Sequence, residues 1–102
     1  MVQRARRQIV WSENAIQNRK DIFEYWKHRN KSSSYGKQLN TLFTAALRTV
    51  ASLPDSANPT TLADVRMILV HDYYLIFQFT QSIIIVLNVW DTRQNPQNFP
   101  IK

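Results

Sequence analysis

Apolar side chains recur along the chain with two different periods, which divide it into a helical first half and a β-rich second half. Across Tyr35–Leu53 they return every three or four residues and Pro54 follows, so this segment is predicted to be an amphipathic helix that ends before the proline. A weaker pattern of the same period covers Ala15–Trp26, and Ser12 just before it can cap a helix with its hydroxyl. The first half is therefore predicted to be a helical hairpin.

Segments that keep neither period are predicted to connect the regular elements. Lys27–Lys37 (KHRNKSSSYGK) holds four basic residues, a histidine and three serines, which favours a connection between the two helices. Residues 54–63 (PDSANPTTLA) are rich in Pro, Ser, Asn and Thr and are predicted to be a loop. The partly alternating segment Arg4–Trp11 is predicted to be an N-terminal strand.

Three β-rich runs follow the loop: Asp64–Val70, Tyr73–Thr80 and Ser82–Trp90. The connections between them are so short that antiparallel hairpins are expected. At 102 residues the chain is predicted to be one domain, residues 1–102, built around one core. The predicted class is α+β, with the N-terminal strand and the helical hairpin packed on one face of a small antiparallel β-sheet.

Alternate residues of a strand point to opposite faces, so strict alternation sorts the three runs into two sets. The set predicted to form the core under the helices is Val65, Met67, Leu69, Tyr73, Leu75, Phe77, Phe79, Ile83, Ile85, Leu87 and Val89. The second set is Arg66, Ile68, Val70, Tyr74, Ile76, Gln78, Ile84, Val86, Asn88 and Trp90. Since large apolar patches are uncommon on monomers, this second face is expected to be covered. Another protein, the tail Thr92–Lys102 or a second copy of the chain could cover it.

The absence of cysteine excludes disulfides and thiolate metal sites, and two histidines, His28 and His71, are too few for a zinc cluster. No metal and no cofactor are therefore expected. The absence of cysteine also fits the reducing cytoplasm, which is the expected compartment. The longest apolar run, Ile83–Leu87, is too short to span a bilayer, so no membrane partner is expected.

Charge is distributed unevenly in this chain of net charge +6, because residues 1–50 hold ten basic and three acidic side chains while residues 51–102 hold three and four. Such a field attracts phosphate backbones and acidic proteins alike. Charge alone does not separate these partners, and a solvated basic surface is the plain alternative.

Several segments in order resemble the RelE/ParE superfamily of toxins from bacterial type II toxin–antitoxin systems. They are a strand ending in Trp11, Ser12-Glu13-Asn14-Ala15 at the first helix, the long helix to Leu53, Asp64-Val65-Arg66, Tyr73-Tyr74-Leu75-Ile76-Phe77 and Val89-Trp90-Asp91-Thr92-Arg93. The resemblance implies a growth inhibitor neutralised by a cognate antitoxin in a toxin–antitoxin hetero-oligomer. Antitoxin binding would explain the mixed sheet face, with contacts expected at Ile68, Val70, Ile76, Gln78, Ile84, Val86, Trp90 and Phe99.

Toxins of this kind have two targets, DNA gyrase for ParE-like members and mRNA in the ribosome for RelE-like endoribonucleases. A ribonuclease needs cationic and acid–base side chains that converge on one phosphate, and Arg93, Arg66 and Tyr74 are the candidates. However, Tyr74 stands where RelE-like ribonucleases have an arginine, and Phe99 stands where they carry a tail tyrosine. Phenylalanine cannot transfer a proton, so gyrase inhibition is favoured over cleavage.

Simpler roles for the candidate residues remain open. Arg93 can pair with Asp91 or Asp72 at the surface, and His71, at an expected hairpin turn, can be merely solvated. Trp90 can pack against the tail instead of stacking on a base. A degenerate family member that binds its partner without toxicity is a third hypothesis.

Overall fold

In the computed structural model, which describes residues 6–101, a helical hairpin covers one face of a five-stranded sheet. The elements are β1 (Gln8–Trp11), α1 (Glu13–Asn30), α2 (Ser34–Ser52), β2 (Asn58–Pro59), β3 (Val65–Val70), β4 (Tyr73–Phe79) and β5 (Ile83–Asp91). Short 3₁₀ turns lie at Pro54–Ser56 and Pro96–Asn98. The α+β class is confirmed. Residues 4 and 5 of the predicted N-terminal strand lie outside the described residues.

The sheet has the strand order β1-β5-β4-β3-β2. Strands β3, β4 and β5 pair antiparallel, as expected, and β2 pairs antiparallel with β3. Strand β1 pairs parallel with β5, which makes the sheet mixed. Parallel neighbours need a long crossover, and the chain between β1 and β5 supplies one. The predicted loop at residues 54–63 contains the two-residue strand β2, which pairs with Met67 and Arg66.

The first helix begins where Ser12 was predicted to cap it. The Ser12 hydroxyl accepts a hydrogen bond from the backbone N–H of Ala15 at 3.1 Å. The helix then continues to Asn30, because only Lys31 leaves the helical conformation, with a left-handed φ of 52°. The connection predicted at Lys27–Lys37 was therefore too long, and it spans only residues 31–33 between the helices.

Gly36, the chain's one glycine, lies in α2 against the Phe23 ring of α1. A Cβ atom at this position would lie 2.6 Å from Cδ2 of Phe23. Only hydrogen fits without a shift of the ring, so Gly36 sets the distance between the helices near their connection.

The core lies between the helices and the sheet. Its larger members are Leu39, Phe43, Leu47, Val50, Tyr73, Leu75, Phe77, Ile84, Val86 and Val89. Burial of a Leu or Phe side chain of this kind contributes about 1.5–3 kcal/mol. Within residues 6–101 no helix is both long and apolar enough to cross a membrane.

Strict alternation was wrong for β5, because the strand carries a bulge. Phe77 pairs with Val86 and Ile76 pairs with Asn88, so Leu87 is an extra residue without an opposite partner. Before the bulge Ile84 and Val86 face the helices, and both are fully buried, at 0% exposure. They therefore belong to the core and not to the second face, which lies away from the helices and is called the outer face below.

Alternation was also wrong for β3. Its register with β4 places Ile68 opposite Leu75 and Val70 opposite Tyr73, and both β3 residues pack against the helix-side core. Met67 and Leu69 consequently lie on the outer face. Because β3 is apolar at five of its six positions, VRMILV, its sequence contains no contrast from which the two faces could be told apart.

Candidate functional site

Arg93 follows β5 directly and forms a two-pronged ion pair with Asp91. Its Nη2 lies 2.8 Å from Asp91 Oδ2 and its Nε donates to Asp91 Oδ1 at 3.0 Å, while its backbone N–H donates to the same Oδ1 at 2.9 Å. This geometry confirms the simpler prediction that Arg93 pairs with Asp91. The Arg93 side chain is 45% exposed, so one side of the guanidinium faces solvent.

Aromatic side chains from α1 and β4 lie beneath this ion pair. The Arg93 guanidinium carbon is 5.4 Å from the Trp26 ring centroid and 5.8 Å from that of Tyr25, within the range of cation–π contact. The Trp26 indole N–H donates to the Tyr73 hydroxyl at 2.8 Å, and Arg93 Nη2 reaches the same oxygen at 3.5 Å. These residues, with Asp91, are called the Arg93 cluster below.

The electrostatics of the Arg93 cluster keep its groups in their ordinary charge states at neutral pH. Hydrogen bonds from Arg93 lower the pKa of Asp91, and the hydrogen bond to Asp91 raises the pKa of Arg93. Burial raises the pKa of the Tyr73 hydroxyl, which remains protonated. The cluster therefore holds a charged arginine paired with a carboxylate, and a phenol that is protonated at neutral pH.

Arg66 lies in a separate place. Its Nη2 contacts Asp55 Oδ1 at 3.1 Å, its guanidinium carbon is 5.8 Å from the Phe79 ring centroid, and its Nε is buried without a hydrogen-bond partner. In the register of β3 with β4, Arg66 lies opposite Phe77. Phe77 is four positions from Tyr73 on β4, which is a separation of about 13 Å along the strand. Arg66 and Arg93 therefore do not converge on one phosphate.

Tyr74 lies on the outer face, opposite to the side where Tyr73 contacts the Arg93 cluster. Its ring centroid is 6.3 Å from that of Phe99, and Phe99 in turn lies 5.6 Å from Trp90, each in edge-to-face geometry. The tail thus folds back over this part of the sheet, one of the covers considered from the sequence. Tyr74, Trp90 and Phe99 are called the aromatic corner below.

A depression of about 600 Å³ opens at the aromatic corner. Its lining is Tyr74, Trp90, Thr92, Gln94, Pro96, Gln97, Phe99 and Ile101. Leu69 pairs with Tyr74 on the same face and is 51% exposed. Sequence reasoning missed Leu69, because alternation assigned it to the core.

The predicted antitoxin contacts divide into two groups. Gln78 is exposed on the outer face, and Trp90 and Phe99 are half-buried at the aromatic corner, whereas Ile76, on the same face, is 1% exposed. Ile68, Val70, Ile84 and Val86 lie on the helix side, as described above. The outer face is therefore formed by other residues of β3 than the sequence suggested, Met67 and Leu69 in place of Ile68 and Val70.

His71 occupies the β3–β4 turn with a left-handed φ of 54° and is exposed, and its ring lies 6.5 Å from Tyr35. Histidine is one of the residues that tolerate this conformation. Over the described range 6–101, no group of three or more His, Asp or Glu side chains is arranged to hold a metal ion.

Comparison with known proteins places this arrangement in a family. A family model described as the ParE toxin of type II toxin–antitoxin systems, parDE, matches residues 9–96. A solved structure, the chromosomal ParDE TA system from P. aeruginosa, has a TM-score of 0.71 with this chain at 10% sequence identity. The match covers 85% of this chain and 97% of that one, and at this identity it shows the fold. No curated protein sequence gives a significant match.

The matched segment extends from β1 to the turn after β5 and so includes both helices, the core, the Arg93 cluster and most of the aromatic corner. The resemblance to RelE/ParE-type toxins is thereby confirmed. Since the family model covers most of the sequence, the chain belongs to the ParE toxin family of type II toxin–antitoxin systems.

Proposed function

We propose that this toxin arrests growth in the cytoplasm by inhibiting DNA gyrase, as expected from its ParE-like sequence, and that it does not cleave mRNA. The observation that carries the proposal is the separation of the three candidate catalytic residues. Arg93 is held by Asp91, Arg66 by Asp55, and Tyr74 faces the other side of the sheet. A protein that inhibits its target by binding does not need these side chains to converge on one phosphate.

The chemistry of RNA cleavage supports the same choice. Cleavage requires a base for the 2′-hydroxyl, cations on the phosphorane and an acid for the leaving oxygen, all within hydrogen-bond reach of one phosphate. Near Arg93 the available phenol is Tyr73, whose raised pKa keeps it protonated at neutral pH, so that it has no free site to accept the proton of a 2′-hydroxyl. Phe99 lies at the aromatic corner and has no proton to give.

The cognate antitoxin is proposed to cover the outer face at the aromatic corner. Leu69 and the depression beside Tyr74 and Trp90 offer apolar surface and hydrogen-bonding side chains. Aromatic residues are enriched at the centres of protein interfaces, because they bury a large area at low entropic cost. Gln78, exposed on the same face, would lie toward the edge of the contact.

The test is expression of the toxin in a bacterial host that lacks the antitoxin, followed by primer extension on a reporter mRNA and a supercoiling assay with purified toxin and gyrase. Arrest with intact mRNA and inhibited gyrase is the expected result. Arg93→Ala is expected to keep the arrest, and Arg48→Ala, at an exposed helix position, controls for expression.

Two outcomes would contradict the proposal. Cuts in the mRNA at the ribosomal A site that disappear in Arg93→Ala but persist in Arg48→Ala would identify a ribonuclease. Absence of arrest with wild-type protein, with antitoxin binding intact, would identify a family member that has lost its toxicity.

A further inference from the structure

The end of the helical hairpin at which α1 connects to α2 is a surface of positive charge without acidic partners among the described residues. From Tyr25 to Pro54 the sequence contains five Lys and Arg residues and no Asp or Glu. Four of them lie near the end of the hairpin together with a histidine, and all of these side chains are exposed: Lys27, His28, Arg29, Lys31 and Lys37. We call these five residues the basic tip. The ion pairs found within residues 6–101 involve only Arg66 and Arg93, so the basic tip has no acidic partner there.

Three of these side chains converge with two hydroxyls on one concave surface. Lys27, His28, Lys31, Ser32 and Ser33 line a depression of about 620 Å³ between the end of α1 and the start of α2. Lys27 and Lys31 line the same depression, so their like charges repel each other there. An anion in the depression would remove that repulsion.

Helix stability does not account for the whole basic tip. Lys27, His28 and Arg29 occupy the last turn of α1, where cations favour the negative end of the helix dipole. Lys37, however, lies near the start of α2, where a cation meets the positive end, and the first turn of α2 contains no acidic residue. Positive charge therefore accumulates at this end of the molecule beyond what either helix requires.

We propose that the basic tip binds the phosphodiester backbone of a double-stranded nucleic acid. Lysine, arginine and serine side chains are the usual partners of backbone phosphates, and such contacts position a protein without reading sequence. The inference does not depend on the gyrase target, because it concerns binding by the toxin alone.

The composition of the basic tip favours a nucleic acid over an acidic protein. Protein interfaces have apolar or aromatic centres from which charged residues are depleted, whereas nucleic-acid interfaces are more polar and strongly positive. The depression at the basic tip is lined by two lysines, a histidine and two serines, without an apolar residue. The apolar and aromatic surface of this toxin lies elsewhere, at the aromatic corner.

The experiment measures fluorescence anisotropy of labelled 20-base-pair DNA and RNA duplexes of one sequence, titrated with the full-length toxin between 50 and 200 mM salt. Lys27→Ala/Lys31→Ala removes two charges from the depression. Lys20→Ala/Arg48→Ala is the matched control, since it lowers the net charge equally at exposed helix positions away from the basic tip. Circular dichroism and thermal melts check that both variants fold.

Wild-type toxin is expected to bind with a slope of log K against log salt of about −2 to −3, as for two or three phosphate contacts. Lys27→Ala/Lys31→Ala is expected to bind about tenfold more weakly at 50 mM salt with a slope smaller by about two, and the control variant to retain the wild-type slope. Tighter binding of one duplex would identify DNA or RNA as the source of the phosphates. Equal losses in the two variants, or no binding of either duplex together with binding of a polyglutamate peptide at the basic tip, would overturn the proposal.

Discussion

The indole N–H of Trp26 donates a 2.8 Å hydrogen bond to the hydroxyl of Tyr73, and this bond joins α1 to β4 beneath Arg93. The Tyr73 side chain is 1% exposed and its ring meets Phe43 edge to face in the core. One residue thus contributes its ring to the core and its hydroxyl to the Arg93 cluster. Packing and polar contacts at this end of the sheet are therefore coupled through Tyr73.

Tyr73→Phe is expected to lower the free energy of unfolding by about 1 kcal/mol, because it keeps the ring and leaves the Trp26 N–H without its partner. Urea unfolding followed by circular dichroism measures the change. Tyr74→Phe is the matched control, since the Tyr74 hydroxyl forms no hydrogen bond within residues 6–101, and its effect should be below about 0.5 kcal/mol. Equal losses in the two variants would show that the Trp26 bond adds nothing.

The Asp91–Arg93 pair predicts a stability that falls in acid. The pKa of Asp91 is lowered in the folded protein, so its contribution is complete above the unfolded value of about 3.9 and is lost as pH falls through the folded pKa. The contribution should be about 1 kcal/mol or less, because Arg93 is half exposed and its charge is screened.

Asp91→Asn should therefore be less stable than wild type at pH 7, and the difference should shrink toward pH 3. Urea unfolding at the two pH values tests this. Arg93→Ala is expected to remove the same pH-dependent part of the free energy of unfolding. The double variant should lose no more stability than either single variant. Additive losses in the double variant would mean that the two residues stabilise the fold independently.

The helices and β4 could be predicted from the sequence because polar side chains fall on one side of each element, Tyr74 and Gln78 in the case of β4. The faces of β3 and β5 could not, since VRMILV and IIIVL lack that contrast. Side chains at the start of α1 and its N-cap bind the backbone at the bulge: Ser12 Oγ and Asn14 Nδ2 donate to the Leu87 carbonyl, and Asn18 Oδ1 accepts from the Val89 N–H at 3.1 Å. These bonds satisfy the backbone carbonyl of Leu87 and the backbone N–H of Val89, which lie beyond the end of the pairing with β1. No local pattern encodes bonds between residues more than 70 positions apart.

The Arg93 cluster could be predicted only in part. The Asp91–Arg93 pair is local and was among the expectations, because the two residues are separated by a single position. The Trp26–Tyr73 bond links residues 47 positions apart and depends on how α1 crosses the sheet. The aromatic corner likewise depends on the path of the tail, which Pro96 and Pro100 direct but no periodic signal describes.

Lys31 ends α1 in the left-handed conformation, with φ 52°, at a position where glycine is normally favoured. Lys31→Gly is expected to raise the free energy of unfolding by about 0.5–1 kcal/mol, because glycine adopts this conformation without steric cost. Lys37→Gly, an equal loss of charge inside α2, should lower it by about 1 kcal/mol. Thermal melts of both variants measure the effects, and destabilisation by Lys31→Gly would show that the lysine side chain itself supports the connection.

A substitution at Leu69 tests where the antitoxin binds. Leu69 is 51% exposed beside Tyr74 on the outer face, so Leu69→Glu should place a charge in the proposed interface at little cost to the free toxin. Binding of the cognate antitoxin, measured by isothermal titration calorimetry, is expected to weaken at least tenfold, which corresponds to about 1.4 kcal/mol. Leu53→Glu is the control, because Leu53 is 57% exposed and follows α2, outside the outer face. If Leu53→Glu weakened binding while Leu69→Glu did not, the antitoxin would have to cover the helical side of the toxin and leave the aromatic corner free.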